Sequence, residues 1–187
     1  MMPRLKQGLV QVYTGDGKGK TSAAIGAAVR ALGHGLRVCL IQFLKGAEDS
    51  GELKVLRDLA NVTLRQFGTD WRELARRNPA WWTVAPTEQE RQLIQEGLRF
   101  AGQIISSGEH DLVILDEINV ACAQGLIAAE DILALVTNRP SHVELILTGR
   151  GAPPALCEAA DLVTEMKEVK HPLARPDSIG ARRGVEF

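Results

Sequence analysis

Residues 14–22, with the sequence TGDGKGKTS, limit the possible folds of this chain more than any other segment. They are rich in glycine and contain a lysine followed by two hydroxyl residues. They stand between a predicted strand at 9–13 and a predicted helix at 20–32, which Gly33 is placed to end. At such a junction, backbone N–H groups at the start of the helix can surround a phosphate group. The segment therefore predicts a phosphate-binding loop in an α/β fold with a parallel sheet.

The residue types of this loop suit ATP. Its glycines permit tight turns with positive φ, Lys20 supplies positive charge to phosphate oxygens, and the Thr21 hydroxyl can bind Mg²⁺. The pattern G-x-x-x-x-G-K-[ST] has glycine where this chain has Thr14, and a dinucleotide-binding G-x-G-x-x-G would need glycine in place of Lys20. The alternative is a glycine-rich turn without a ligand. We predict that ATP is bound by Thr14, Gly15, Asp16, Gly17, Lys18, Gly19, Lys20, Thr21 and Ser22.

Three further candidate residues follow predicted strands later in the chain. Asp116 and Glu117 end the apolar run 112–115, and Arg150 comes shortly after the strand predicted at 143–147. Because the carboxyl ends of parallel strands meet at one edge of a sheet, we expect the two acids to bind Mg²⁺ beside the phosphate loop and Arg150 to reach an anionic group. The alternatives are a helix N-cap for the acids and an exposed surface position for the arginine.

The remaining pattern predicts more elements of the same domain. Near-continuous apolar residues at 36–44 indicate a buried strand, and a T-x-x-E capping box at 87–90 opens a helix of about five turns. Weaker patterns predict strands at 62–67 and 161–164 and a helix at 130–136. We expect one three-layer α/β domain over 1–187, of the P-loop NTPase (RecA-like) type with a mostly parallel central sheet, and a C-terminal tail at 165–187.

Residues 68–86 lack regular periodicity and contain all three tryptophans, Trp71, Trp81 and Trp82, with five charged residues. A loop of this length within a compact domain is typical of a functional lid. Tryptophans in a polar loop suit a flat hydrophobic ligand, and packing onto a satellite core is the alternative.

Composition narrows the functional classes. A net charge of -1 and a pI near 6.4 give no global positive field, so we expect neither nucleic acid nor an anionic membrane as partner. The three cysteines are far apart and predict reduced thiols. No apolar run reaches the ~18 residues of a membrane span, and the N-terminus has no apolar signal region, so we expect a cytoplasmic protein. His171 stands alone and is interpreted as a structural or loop residue.

Several motifs are similar to those of the ATP:corrinoid adenosyltransferases of the P-loop type, and this family also has the Thr-Gly opening of the phosphate loop. The matching segments cover nearly the whole chain in the same order: TGDGKGKT at 14–21, QFLKG at 42–46, LDE at 115–117, TGRG at 148–151, AD at 160–161, VKH at 169–171 and GVEF at 184–187.

The resemblance implies transfer of the 5′-deoxyadenosyl group of ATP to the Co(I) of a reduced corrinoid, with triphosphate as leaving group. It implies catalytic roles for Lys20, Glu117 and Arg150. It also implies Mg²⁺ or Mn²⁺ at Thr21, Asp116 and Glu117, an electron donor that reduces cobalt, and a homodimer. Gln42, Lys45 and Trp71 are expected to contact the substrates. The alternatives are a P-loop ATPase or kinase that cleaves at the γ-phosphate, and a binding module whose conformation ATP controls.

Overall fold

The computed structural model describes residues 5–46, 50–70, 74, 76, 85–171 and 182–185, and Trp71, Trp81 and Trp82 lie outside them. The strands are β1 (Val10–Thr14), β2 (Val38–Phe43), β3 (Val62–Phe67), β4 (Leu112–Asp116), β5 (Glu144–Thr148) and β6 (Leu162–Glu165). The helices of the described ranges are α1 (Lys20–Gly33), α2 (Gly51–Arg57), α3 (Glu88–Ser107), α4 (Ile118–Ala123), α5 (Ala129–Thr137) and α6 (Pro154–Ala159).

The six strands form one sheet in the order β3-β2-β4-β5-β1-β6, and every neighbouring pair is parallel. The sequence predicted a mostly parallel sheet, and the described sheet is entirely parallel. This order brings the carboxyl ends of β1, β2, β4 and β5 to one edge of the sheet. In the register, Gln42 lies opposite Asp116 and Tyr13 lies opposite Thr148.

Two hydrophobic clusters lie on opposite faces of this sheet and confirm the predicted three layers. Along β2, Cys39, Ile41 and Phe43 belong to one cluster, whereas Val38 and Leu40 belong to the other. Because successive side chains of a strand point to opposite faces, this alternation means that β2 is covered on both sides. Helices α3, α4, α5 and α6 contribute to the first cluster, and helices α1 and α2 contribute to the second.

Helix α3 shows the predicted capping box. The Glu90 backbone N–H donates to the Thr87 hydroxyl oxygen at 3.3 Å, and the Thr87 backbone N–H donates to a Glu90 carboxylate oxygen at 2.7 Å. At the other end, Gly108 has a left-handed conformation with φ 59° that a side chain rarely adopts. The helix has 20 residues, close to the predicted five turns.

Three short helices were not predicted from the sequence. Helix α2 has seven residues, and α4 and α6 have six each. Fewer than two turns cannot display a helical repeat of apolar residues, so these helices depend on packing against the sheet. Among the described residues, no helix combines the length and the hydrophobicity needed to cross a membrane.

Candidate functional site

The predicted phosphate loop connects β1 to α1. Gly15 has φ 91° and Gly19 has φ 115°, so both positions require the conformational freedom of glycine. Gly17 is required for a different reason, because a Cβ atom there would lie 2.7 Å from the Met166 carbonyl oxygen. The glycines therefore serve two purposes, a positive φ at the ends of the loop and close backbone packing at its centre.

The chain that leaves β6 supports the loop. The Met166 N–H donates to the Thr14 carbonyl at 2.8 Å, and the Gly17 N–H donates to the Met166 carbonyl at 2.7 Å. The Thr14 hydroxyl accepts a hydrogen bond from the Ala152 N–H at 3.3 Å, which joins the loop to the connection between β5 and α6. At the position where the strict loop pattern has glycine, Thr14 thus ties the loop to a neighbouring connection.

Lys20 lies at the centre of the loop. Its ammonium donates to the Gly15 and Gly17 carbonyls, both at 2.6 Å, and the residue is only 8% exposed. Burial lowers the pKa of Lys20, and the nearby Arg150 lowers it further, whereas Glu117 and Asp16 oppose the shift. A phosphate group in the loop would give this buried ammonium the counter-charge that the neutral carbonyls do not supply.

Asp116 accepts hydrogen bonds at both carboxylate oxygens. Oδ1 accepts from the hydroxyls of Thr21 at 2.8 Å and Thr148 at 2.7 Å. Oδ2 accepts from the Gln42 amide at 3.0 Å and the Lys45 ammonium at 2.8 Å. Burial by itself raises the pKa of Asp116, but the charge of Lys45 and the hydrogen bonds to this carboxylate outweigh burial and hold the pKa below its ordinary value.

Glu117 sits directly after β4 in a left-handed conformation with φ 64°, which is unusual for a residue with a side chain. Its N–H donates to the Thr148 hydroxyl oxygen at 3.1 Å, and the same hydroxyl donates to Asp116. Burial raises the pKa of Glu117, as does the adjacent Asp116, while the charges of Lys45, Lys20 and Arg150 lower it. Thr148 therefore fixes the backbone from which the Glu117 carboxylate extends.

Arg150 and Asp16 face each other at the exposed side of the loop. The guanidinium Nη2 donates to the Asp16 carbonyl at 3.3 Å, and Nε lies 3.9 Å from the Asp16 carboxylate. The two side chains are 65% and 87% exposed, so solvent weakens this ion pair. Arg150 can therefore leave Asp16 for a stronger anion at little cost.

A cavity of about 980 Å³ lies over these residues. The predicted site residues on its wall are Asp16, Gly17, Lys18, Gly19, Lys20, Thr21, Ser22, Lys45, Glu117 and Arg150. Four other predicted residues, Thr14, Gly15, Gln42 and Asp116, do not line the cavity, and the last two are buried behind it.

Sequence reasoning missed part of the cavity wall. Helix α2 and the residue before it contribute Ser50, Gly51 and Glu52, and α4 and the residue after it contribute Val120 and Gln124. From the C-terminal part come His171, Gly184 and Val185. His171, which the sequence predicts to be a structural or loop residue, lies on this wall. The motifs VKH and GVEF, which contain these C-terminal residues, were the signal that could have indicated them.

The donor set fits a hard cation such as Mg²⁺ beside a bound phosphate. In the ranges that the structure describes, no group of three His, Cys, Asp or Glu side chains could hold a metal ion. The Thr21 hydroxyl donates its hydrogen bond to Asp116, which leaves the oxygen lone pairs of Thr21 for a cation. Thr21 and Glu117 both line the cavity. Mg²⁺ is commonly bound by one or two protein oxygens together with phosphate oxygens and water.

Comparison with known proteins finds a family model and several relatives that are named corrinoid adenosyltransferase. A family model described as ATP:corrinoid adenosyltransferase BtuR/CobO/CobP matches residues 6–187. The corrinoid adenosyltransferase of Pseudomonas aeruginosa is 36% identical over 185 residues, which covers 98% of this chain and 86% of that protein. The corrinoid adenosyltransferase of Escherichia coli K12 is 31% identical over 182 residues, with 97% and 87% covered. The corrinoid adenosyltransferase CobA of Salmonella typhimurium is 30% identical, with the same coverage of 97% and 87%.

Proposed function

Because this chain belongs to the ATP:corrinoid adenosyltransferase family, we propose that its cavity binds ATP for transfer of the 5′-deoxyadenosyl group to the cobalt of a reduced corrinoid. One observation carries the residue assignments. Lys20, Lys45 and Arg150 line the same cavity, and they reach it from different segments of the chain. Converging cations suit a polyphosphate, and they can stabilise the charge that develops as triphosphate leaves.

The reaction explains why the site needs cations more than a base. The Co(I) centre of the corrinoid substrate supplies an electron pair to C5′ of the ribose, the C5′–O bond breaks, and triphosphate takes the bonding pair. No proton is transferred in this step. The protein must therefore align the two substrates and stabilise the leaving group, which are the roles we propose for Lys20 and Arg150.

We propose that Thr21 and Glu117 bind Mg²⁺, or Mn²⁺ in its place. When bound, the ion neutralises part of the triphosphate charge. Thr21 would present its oxygen lone pairs, because its O–H points toward Asp116, to which it donates. The Glu117 carboxylate would remain ionised beside a cation, although burial alone raises its pKa. Asp116, the third predicted ligand, would affect the ion only indirectly, through its hydrogen bond with Thr21.

The corrinoid side of the proposal rests on the tryptophan-rich segment 68–86. We propose that this segment, including Trp71, contacts the corrinoid as a lid, because flat aromatic side chains suit a macrocycle and exclude water from Co(I). A separate electron donor is required, since the reactive cobalt must be reduced. A homodimer and a cytoplasmic location remain predictions.

Product analysis tests the proposed function. Protein, ATP, Mg²⁺ and chemically reduced corrinoid are mixed, and phosphorus NMR is recorded together with the absorbance of the photolabile cobalt–carbon product. We expect one intact triphosphate for each adenosyl group transferred, and none without reduced corrinoid. Formation of ADP and orthophosphate at a rate independent of corrinoid would instead indicate a P-loop ATPase or kinase. ATP binding with no product would indicate a binding module.

A further inference from the structure

We propose that Asp116 is a positioning residue that holds Lys45 as a second triphosphate-binding cation, and that Asp116 is not itself a metal ligand. The inference rests on the proposed function, because it requires a triphosphate group in the cavity. It assigns separate tasks to two neighbouring acids, since Glu117 faces the cavity and Asp116 does not.

The hydrogen bonds of Asp116 leave no room for a metal ion. A carboxylate has about four lone-pair directions. Those of Asp116 are used by the hydroxyls of Thr21 and Thr148 at one oxygen and by Gln42 and Lys45 at the other. The side chain is 0% exposed, so a metal ion would have to displace one of these donors inside the protein.

Lys45 is the one cation among the four donors, and unlike Asp116 it lines the cavity. It is 20% exposed and lies on the cavity wall, while its ammonium is 2.8 Å from the buried carboxylate. A buried carboxylate is costly unless it is paired, so Asp116 strongly favours the arrangement in which Lys45 stays at this point. The charge of Asp116 thus fixes a cation where a phosphate group can also contact it.

The backbone around Lys45 is held equally closely. Leu44 has φ 58°, and its N–H donates to the Phe67 carbonyl at 2.9 Å. A Cβ atom on Gly68 would lie 2.5 Å from the backbone nitrogen of Lys45. The Gln66 amide donates to the Gln42 side-chain oxygen at 3.0 Å, and Gln42 in turn donates to Asp116. The ends of β2 and β3 therefore position Lys45 through both backbone and side chains.

The two lysines approach the cavity from distant strands. Lys20 follows β1 and Lys45 follows β2, and β4 and β5 lie between these strands in the sheet. A long anion such as triphosphate can contact both lysines, one toward each end. Two fixed contacts orient the leaving group better than one, which favours alignment of C5′ with the attacking cobalt.

The test measures binding of ATP and of inorganic triphosphate by calorimetry over a range of free Mg²⁺ concentrations. The proteins are wild type, Asp116→Asn, Lys45→Met and the double variant. We expect each single substitution to weaken binding by about tenfold to a hundredfold. We expect Asp116→Asn to have a much smaller effect when Lys45 is already Met. It should also leave the Mg²⁺ concentration for half-maximal enhancement of ATP binding unchanged, because the asparagine oxygen can still accept the hydrogen bond from Thr21. Glu117→Gln should raise that concentration.

Two results would overturn the inference: additive effects of Asp116→Asn and Lys45→Met, or an increased Mg²⁺ requirement in Asp116→Asn like that in Glu117→Gln.

If Asp116→Asn does not fold, Gly68→Ala provides a second route. Gly68 does not line the cavity, and its new Cβ atom would displace the Lys45 backbone. The substitution should therefore weaken triphosphate binding, and unchanged binding would contradict the inference. The matched control is Gly26→Ala, since a Cβ atom there has no neighbour within 4 Å. Because these measurements do not depend on which ATP bond breaks, a wild-type protein that yields ADP would refute the proposed function separately.

Discussion

Lys20 and Glu117 face the same cavity with opposite charges, and burial shifts the pKa of each toward its neutral form. Burial lowers the pKa of Lys20, with Arg150 as a further cause. Burial raises the pKa of Glu117, with Asp116 as a further cause. A bound phosphate beside the lysine and a cation beside the glutamate would each favour the charged form again.

Replacement of Lys20 by alanine is expected to abolish most adenosyl transfer while the sheet remains folded. The substitution removes the ammonium that donates to the Gly15 and Gly17 carbonyls inside the loop. Loss of one group that stabilises developing negative charge commonly lowers kcat by about 10²–10³. Steady-state rates with reduced corrinoid measure the effect, and thermal unfolding checks the fold. Lys54→Ala, at an exposed position of α2, is the matched control. Near wild-type turnover in Lys20→Ala would show that the loop has no role in the reaction.

At the scale of single elements, the sequence predicted those with long or strong local signals. The capping box of α3 and the apolar runs of β2 and β4 depend on neighbouring residues in the chain, and the structure confirms them. The helices α2, α4 and α6 were missed because six or seven residues show too little periodicity. The same limit explains why Glu52 and Gln124 were missed, since tertiary packing of short helices brings them to the cavity.

The contact between the phosphate loop and the chain after β6 is testable through Gly17→Ala. The new Cβ atom would lie 2.7 Å from the Met166 carbonyl oxygen and 2.8 Å from the Lys167 carbonyl carbon. Both are backbone atoms, so the two segments must separate. We expect a loss of about 1–3 kcal/mol in the free energy of unfolding, as is typical of overpacking, and weaker ATP binding.

Urea denaturation and ATP titration measure the two effects of Gly17→Ala. Gly33→Ala is the control, because a Cβ atom at the end of α1 meets no atom within 4 Å. If Gly17→Ala unfolds at the wild-type urea concentration and binds ATP with unchanged affinity, the loop does not depend on the segment after β6.

At the scale of the whole molecule, the sheet separates the candidate site from a buried polar cluster at its opposite edge. The carboxyl ends of the strands carry the cavity. At the amino ends, the Thr63 hydroxyl lies 2.9 Å from Nε2 of His110, and Asp111 accepts from the Arg37 N–H at 2.8 Å. His110 is 5% exposed and Asp111 is 3% exposed. This cluster is remote from ATP in the proposed function, so its contribution is to stability.

His110 makes the fold sensitive to acid in a direction that its pKa defines. Burial lowers the pKa of His110 in the folded protein, and the charge of Arg37 lowers it further, whereas in the unfolded chain the imidazole has its ordinary pKa of about 6.5. The unfolded state therefore binds a proton first as the pH falls. The stability contributed by neutral His110 is complete above the unfolded pKa and is lost as the pH decreases below it, with a slope of at most about 1.4 kcal/mol per pH unit for one proton.

We expect His110→Gln to lose less stability than the wild type when the pH is lowered from 7.5 to 5.5, because glutamine cannot take up the proton that favours unfolding. Urea denaturation at the two pH values gives the difference for each protein, which cancels the contribution of carboxylates common to both. His34→Gln, at an exposed position after α1, should retain the wild-type decrease. Equal decreases for His110→Gln and wild type would show that His110 is not the group whose protonation destabilises the fold. Because the cluster lies at the opposite edge from the cavity, His110→Gln should bind ATP at pH 7.5 with wild-type affinity.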